Sequence, residues 1–222
     1  MKPYFERDGI AIYHGDCREI LPGLAFDVVV TDPPYGINHP TDYYSRGRGS
    51  LARSKDYPPV SGDTDPFDPA WLLELGRPTI LWGANYYSDR LPPSSGWLAW
   101  DKMRPHDLDQ ATAELAWSNV VKGARVFRYL WNGMIRAGSD ILEHPTQKPV
   151  DLMRWCLSLK WVPSGIVADP YMGSGTTLRA AMDLGRRAIG IEIEERYCEI
   201  AARRLDQLVL PLAPAHDSGG AT

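Results

Sequence analysis

Four consecutive residues, Asp32-Pro33-Pro34-Tyr35, carry the most telling chemistry in this chain. Prolines bar helix and ladder hydrogen bonding, so the turn holds a carboxylate, the rigid backbone carbonyl of Pro33 and an aromatic face at Tyr35 in one cluster. Such a cluster suits an amino group on a flat heteroaromatic ring. Two N–H bonds can go to Asp32 and the Pro33 carbonyl while Tyr35 stacks on the ring. Taken alone, the same residues would also make a plain proline-rich turn. A second cluster, Asp169-Pro170-Tyr171-Met172-Gly173-Ser174-Gly175-Thr176-Thr177, puts glycines between a predicted strand and a predicted helix. Glycines there let backbone approach a ligand closely, and the exposed N–H groups of a helix start favour a carboxylate or phosphate. No Lys precedes Thr176, which disfavours a P-loop and nucleotide hydrolysis. A structural glycine turn would read the same way. Glu192 stands about 20 residues after the glycines, where a carboxylate in a dinucleotide-type fold accepts hydrogen bonds from ribose hydroxyls. A solvated strand-end acid is the alternative, since Glu194 and Glu195 follow at once.

These residues need elements to position them. Phe26–Thr31 is a short apolar, β-branched run that ends in the proline turn, and Ile166–Ala168 ends the same way at Asp169-Pro170. Both read as buried strands. Pro78–Trp82 and Arg187–Ile193 are further strands. Helical spacing at Ala70–Leu75, Val150–Leu159, Thr176–Leu184 and Glu194–Leu208 separates them. Alternation of this kind predicts an α/β fold with a mostly parallel sheet covered on both faces. Gly96–Lys102, Ala113–Ser118 and Arg125–Trp131 have no helix of useful length between them, and are expected as antiparallel strands at one edge. The stretch from Gly36 to about Pro66 is too long for an ordinary connector and is expected to be a functional or mobile loop.

With 222 residues, 44% of them hydrophobic and 23% charged, the chain can build one sizeable core, and a single catalytic domain over 1–210 is expected, with a disordered tail over 211–222. No apolar run is long enough to span a membrane and the first nine residues lack the apolar stretch of a signal peptide, so a cytoplasmic protein is expected. Cys17, Cys156 and Cys198 show no metal-like pairing and are expected as buried thiols, with no metal. The net charge of −4 argues against a generally basic nucleic-acid coat. Any DNA contact must be local: Arg46, Arg48, Arg53 and Lys55 form one candidate track and Arg125, Arg128 and Arg136 another, each also readable as scattered solvated charge.

In order along the chain stand DPPY at Asp32, HPTQKP at His144–Pro149 and DPYMGSGTT at Asp169. Together with GDCREILPGLAFDVVVTDPPY and WGANYYSDRLPPSSGWLAWDK, they resemble the beta-class DNA amino-methyltransferases, the N6-adenine and N4-cytosine DNA methylases, over nearly the whole chain to about Leu208. The resemblance implies a permuted, Rossmann-like methyltransferase sheet whose chain starts at the third strand, Ile10–Tyr13. It implies S-adenosylmethionine as cofactor, with Asp16 and Cys17 at its adenine, Glu192 at its ribose, and Asp169, Pro170, Gly173, Ser174, Gly175, Thr176, Thr177, His144, Thr146 and Lys148 toward its methionine end. It places Asp32 beside both the cofactor and the base, and makes Asp32, Pro33, Pro34 and Tyr35 the catalytic set acting on a flipped adenine in DNA. Loop 36–66 would close over the base, and parts of 103–143 would read sequence. A restriction-modification setting and a homodimer are further expectations from the family. An Asp at the head of the motif leans toward adenine and a Ser toward cytosine, which leaves N4-cytosine methylation as the nearest rival. An RNA or glutamine substrate, a catalytically silent nucleic-acid-binding subunit and an NAD-dependent oxidoreductase are remoter alternatives.

Overall fold

The computed structural model describes residues 1–38, 61–104, 111–132, 135–136 and 147–206. In chain order these form β1 (Phe5–Arg7), β2 (Ile10–His14), α1 (Cys17–Ile20), β3 (Val28–Thr31), α2 (Ala70–Glu74), β4 (Thr79–Trp82), β5 (Gly96–Asp101), β6 (Ala113–Ser118) and β7 (Ala124–Arg128). There follow β8 (Trp131–Asn132), β9 (Ile135–Arg136), α3 (Val150–Leu157), β10 (Val167–Asp169), α4 (Thr176–Asp183), β11 (Ala188–Glu192) and α5 (Glu195–Asp206). Nine strands make one sheet in the order β1-β2-β11-β10-β3-β4-β6-β5-β7, and β8 and β9 pair separately.

From β2 to β4 all neighbours run parallel, while β6 runs against both β4 and β5. The chain therefore enters the sheet near one edge and completes the centre last, as the permutation requires. One expectation is corrected. The last edge strand, β7, pairs with β5 in parallel. The direction alternates at each reversal from β5 to β6 to β7, and β7 docks on β5 instead of on β6, so it points the same way as its partner. The segment expected as one strand over Arg125–Trp131 also divides, with β7 ending at Arg128 and β8 starting at Trp131.

Strand side chains alternate between two cores, as the two-residue period of a pleated strand demands. Val28 and Val30 of β3 enter one cluster with Ile10, Ile80, Trp82, Leu98 and the buried faces of α3, α4 and α5. Val29 points the other way, with Leu81, Trp117, Ala168 and Ile191, toward α1, α2, Phe67 and Tyr87. A strand buried on both faces needs an unbroken apolar run, and VVVT of β3 is fully buried. Each such side chain contributes about 1.5–3 kcal/mol. All three cysteines are buried free thiols. Among the described residues no helix is long and apolar enough to cross a membrane.

Candidate active site

Parallel strands deliver their chain ends to one edge of the sheet, and there the chemistry-bearing residues meet. Asp16 follows β2, Glu192 ends β11, Asp169 ends β10 and Asp32 follows β3, so four carboxylates come from four adjacent strands. Register keeps the row in line: His14 lies opposite Glu192 and Asp169 opposite Gly190. Crevices beyond the carboxyl ends of an open parallel sheet are the usual ligand sites of such folds. A cleft here is lined by Asp32, Gln147, Lys148, Met153, Asp169, Tyr171, Met172, Gly173, Ser174, Thr176 and Thr177.

On the glycine side, the backbone N–H of Gly173 donates to Glu192 Oε2 at 3.0 Å and that of Glu194 to Oε1 at 2.9 Å. Burial raises the Glu192 carboxyl, and these two donors partly offset it. Each oxygen keeps a lone pair for a hydroxyl donor. Gly173 (φ 50°) and Gly175 (φ 77°) lie in the left-handed region, which lets the chain turn into α4 without a Cβ clash. Ser174 Oγ donates to Gln147 Oε1 at 3.0 Å, and Arg204 of α5 donates to the Ser174 carbonyl and to Thr176 Oγ1 at 3.2 Å each. Asp169 is 3% exposed, and its Oδ1 accepts from Thr31 Oγ1 at 2.6 Å and from the Tyr171 N–H at 3.2 Å. Burial pushes its carboxyl up to about 6 against hydrogen bonds from Thr177 and Thr31. Pro170, Thr176 and Thr177 are buried beside it. Cys17 is buried under the same edge, with its thiol pushed up to about 11 by burial, while Asp16 stays exposed and caps α1 through the Arg18 N–H at 2.8 Å.

The proline turn is held from several sides. Asp63 Oδ1 accepts the backbone N–H groups of Tyr35, Gly36 and Ile37 at 3.0, 2.8 and 3.3 Å. Pro33 is buried and Pro34 half-buried. The Tyr35 hydroxyl donates to Asp32 Oδ1, and its ring stacks on Tyr86 with centroids 4.9 Å apart and planes at 15°. Lys148 Nζ lies 2.5 Å from Asp32 Oδ2, 2.9 Å from the Tyr35 hydroxyl and 2.9 Å from Glu114 Oε2. Lys102 pairs with the other oxygen of Glu114. Burial raises Asp32, opposed by the Lys148 charge. For Lys148 burial acts downward, but Asp32 and Glu114 outweigh it and hold the ammonium above its ordinary value. Burial likewise works against ionised Glu114, yet Lys148 and Lys102 hold its carboxyl down at about 2. Burial, with the Asp32 charge, keeps Tyr35 far above its ordinary value, so it remains a donor.

Asp32, Tyr35, Lys148, Asp169, the glycine turn and Glu192 thus share one edge of the sheet. His144, Thr146, Arg46, Arg48, Arg53 and Lys55 lie outside the described residues, as do most of the loop expected to close over the base and the 211–222 tail. Of the 103–143 stretch, the described part includes β6 and β7 of the main sheet. Sequence reasoning missed Glu114, Lys102, Asp63, Gln147 and Tyr86 at the site. The acid–lysine partners are far apart in sequence and meet only through strand pairing. A charged residue at the inner end of an apolar run, such as Lys102 after GWLAWD, was the one available signal.

Comparison with known proteins agrees with this geometry. The DNA methylase family model for N6 and N4 methyltransferases matches residues 97–203. The type II methyltransferase M2.LlaDCHI of Lactococcus lactis subsp. cremoris is 25% identical over 93% of this chain and 93% of its own. Among solved structures, M1.HpyAVI in complex with SAM is 26% identical, with a TM-score of 0.54 over 88% of this chain and 99% of that one. The cytosine-N4-specific PvuII DNA methyltransferase shares the fold at a TM-score of 0.62, over 96% of this chain and 91% of its own, at 15% identity. The family match over residues 97–203, a relative aligned along almost the full chain, and a carboxylate-lined edge on a permuted sheet make the chain similar to the DNA amino-methyltransferases in sequence, fold and site.

Proposed function

We propose that this protein transfers a methyl group from S-adenosylmethionine to the exocyclic N6 amino group of adenine in DNA. The single observation that carries the reading is the Asp32 carboxylate, fixed at the end of β3 by the Tyr35 hydroxyl and the Lys148 ammonium and facing the same cleft as Asp169 and the glycine turn. The donor and acceptor set suits a ligand with a nucleoside at one end and an amino acid at the other. Glu192 has acceptor capacity for ribose hydroxyls, and Asp169 presents a buried carboxylate toward a cationic amino group. When bound, S-adenosylmethionine supplies a methyl group activated by its sulfonium.

The adenine amino nitrogen is a poor nucleophile because its lone pair is delocalised into the ring. Hydrogen bonds from that group to Asp32 and to the Pro33 carbonyl favour a more tetrahedral nitrogen and stabilise the positive charge that grows on it, which is preorganised electrostatic assistance. Tyr35 fixes the ring plane, and alignment with the methyl donor supplies much of the remaining acceleration. Asp32 receives the departing proton after attack. In duplex DNA the base must leave the stack first, at a cost of about a few kcal/mol. A DNA substrate agrees with the expected cytoplasmic location.

Purified protein is incubated with labelled S-adenosylmethionine and mixed-sequence duplex DNA, and the digested nucleosides are identified by mass spectrometry. N6-methyladenine is expected from the native protein. Asp32→Ala should lower its yield by about 10²–10³-fold or more, while calorimetry still detects cofactor binding. N4-methylcytosine in its place would overturn the assignment to adenine, and methylated RNA alone would overturn DNA as the substrate.

A further inference from the structure

From the proline turn inward, two half-buried carboxylates and two buried lysines form an alternating row of charges: Asp32, Lys148, Glu114, Lys102. Their side chains are 17%, 5%, 20% and 11% exposed. Each comes from a different part of the fold: the end of β3, the residue before the Pro149 cap of α3, the interior of β6 and the end of β5. Taking charge out of water is costly and is sustained only by close partners. Packing alone would be served better by apolar side chains of the same volume, so the row calls for a further reason.

We infer that Glu114 is a positioning residue for methyl transfer: it shares Lys148 with Asp32, so the end of the row that faces the base keeps net negative charge while the counter-charge, Lys102, stands on the far side. The inference rests on the reading of Asp32 as acceptor of the base amino group. If Lys148 paired with Asp32 alone, its ammonium would cancel the field that the growing positive charge on the nitrogen needs. Divided between two carboxylates, it still fixes Asp32 Oδ2 at 2.5 Å and the Tyr35 hydroxyl at 2.9 Å, and the trio Asp32–Lys148–Glu114 carries one net negative charge. Other groups face the row too: Tyr87 after β4 and Asp169 of β10 lie within electrostatic reach of Asp32, and Arg104 of Lys102. None of them is a second carboxylate against Lys148.

The test is Glu114→Gln, compared with the native protein and with the charge-balanced Glu114→Gln/Lys102→Met. Without Glu114 the buried ammonium loses one of its two stabilising charges, so its protonated form weakens. In the protein without cofactor or DNA, the Lys148 titration followed by 13C NMR of labelled lysine, assigned with Lys148→Met, should move down by about one unit or more. In methylation assays the rate at pH 7 should fall by about tenfold or more, because protonated Lys148 then cancels Asp32, and it should recover toward the native rate as pH rises through the lowered lysine titration. Cofactor affinity at pH 7 should stay within about threefold. A loss of rate that does not recover as pH rises, a lysine titration that does not move, or a profile like the native one would overturn the inference. If Glu114→Gln fails to fold, the double variant decides by the same two readouts. A native protein that methylates no DNA, while its lysine titration still depends on Glu114, would count against the proposed function and leave the charge coupling standing.

Discussion

Asp169 shows how the burial of a single carboxylate ties stability to pH. Its carboxyl is 3% exposed, held among Thr31, Thr177 and the Tyr171 N–H, and pushed up to about 6 by burial. The unfolded chain releases the same proton near 3.9. Between about pH 4 and pH 6 the folded state therefore holds more protons than the unfolded state, and stability falls as pH rises through that window. Asp169→Asn removes the dependence. We expect the variant to be more stable than the native protein at pH 7.5 by about 1–3 kcal/mol, read by urea denaturation, because an uncharged amide escapes the desolvation penalty. The same variant should bind S-adenosylmethionine at least about tenfold more weakly by calorimetry, since the carboxylate is the buried group available to a cationic amino group. A variant that loses stability at pH 7.5 would show that the carboxylate is well solvated in the cleft.

At the scale of elements, the turn after β4 decides how Tyr35 sits. Gly83 has φ 72°, and a Cβ built on it would overlap the edge of the Tyr35 ring at carbons Cε1, Cδ1 and Cζ. Tyr86, one turn further on, stacks on the same ring, and the Tyr87 hydroxyl donates to the Trp82 carbonyl at 2.5 Å. The end of β4 and the proline turn after β3 therefore fit together only with glycine at 83. Gly83→Ala should cost about 2–4 kcal/mol, from the left-handed backbone and the overlap combined. Its effect on methyl transfer should exceed its effect on cofactor affinity, because the displaced ring is the one proposed to stack on the base. Thermal unfolding and calorimetry on one preparation check both halves of that statement.

On the scale of the whole molecule, the net charge of −4 sets the terms on which DNA can bind. A molecule that repels the phosphate backbone overall must gather its contacts in a few basic segments, and affinity then depends steeply on salt. Neutralising Arg46 and Arg48 together should weaken DNA binding at every sequence and reduce the slope of log affinity against log salt by about 2. Fluorescence anisotropy over a range of salt concentrations reads both effects, and an unchanged slope would remove this segment from the interface. Association also has to bring the target base to the carboxyl edge of the sheet, since Asp32, Asp169 and Glu192 all lie there.

By itself the sequence determined the local terms of this protein. VVVT before a proline turn had to be a strand buried on both faces, because an apolar β-branched run closed by Asp-Pro-Pro has no amphipathic stripe to offer a helix. The order of the proline turn, HPTQKP and the glycine turn pointed to the family and to the permuted sheet, since motif order survives where overall identity is low. Each motif is legible by itself because turn chemistry and strand patterning depend on neighbours in sequence. Only the tertiary structure decided what depends on distant pairing. The parallel placement of β7 against β5, the three N–H bonds gathered by Asp63 and the glycine at 83 under Tyr35 all join residues from separate segments. Lys148 shows the division most clearly. The motif marked it as part of the site, but only the meeting of β3, β5, β6 and the start of α3 set its ammonium between Asp32 and Glu114, because a buried charge takes its partners from whatever the fold brings within about 3–4 Å.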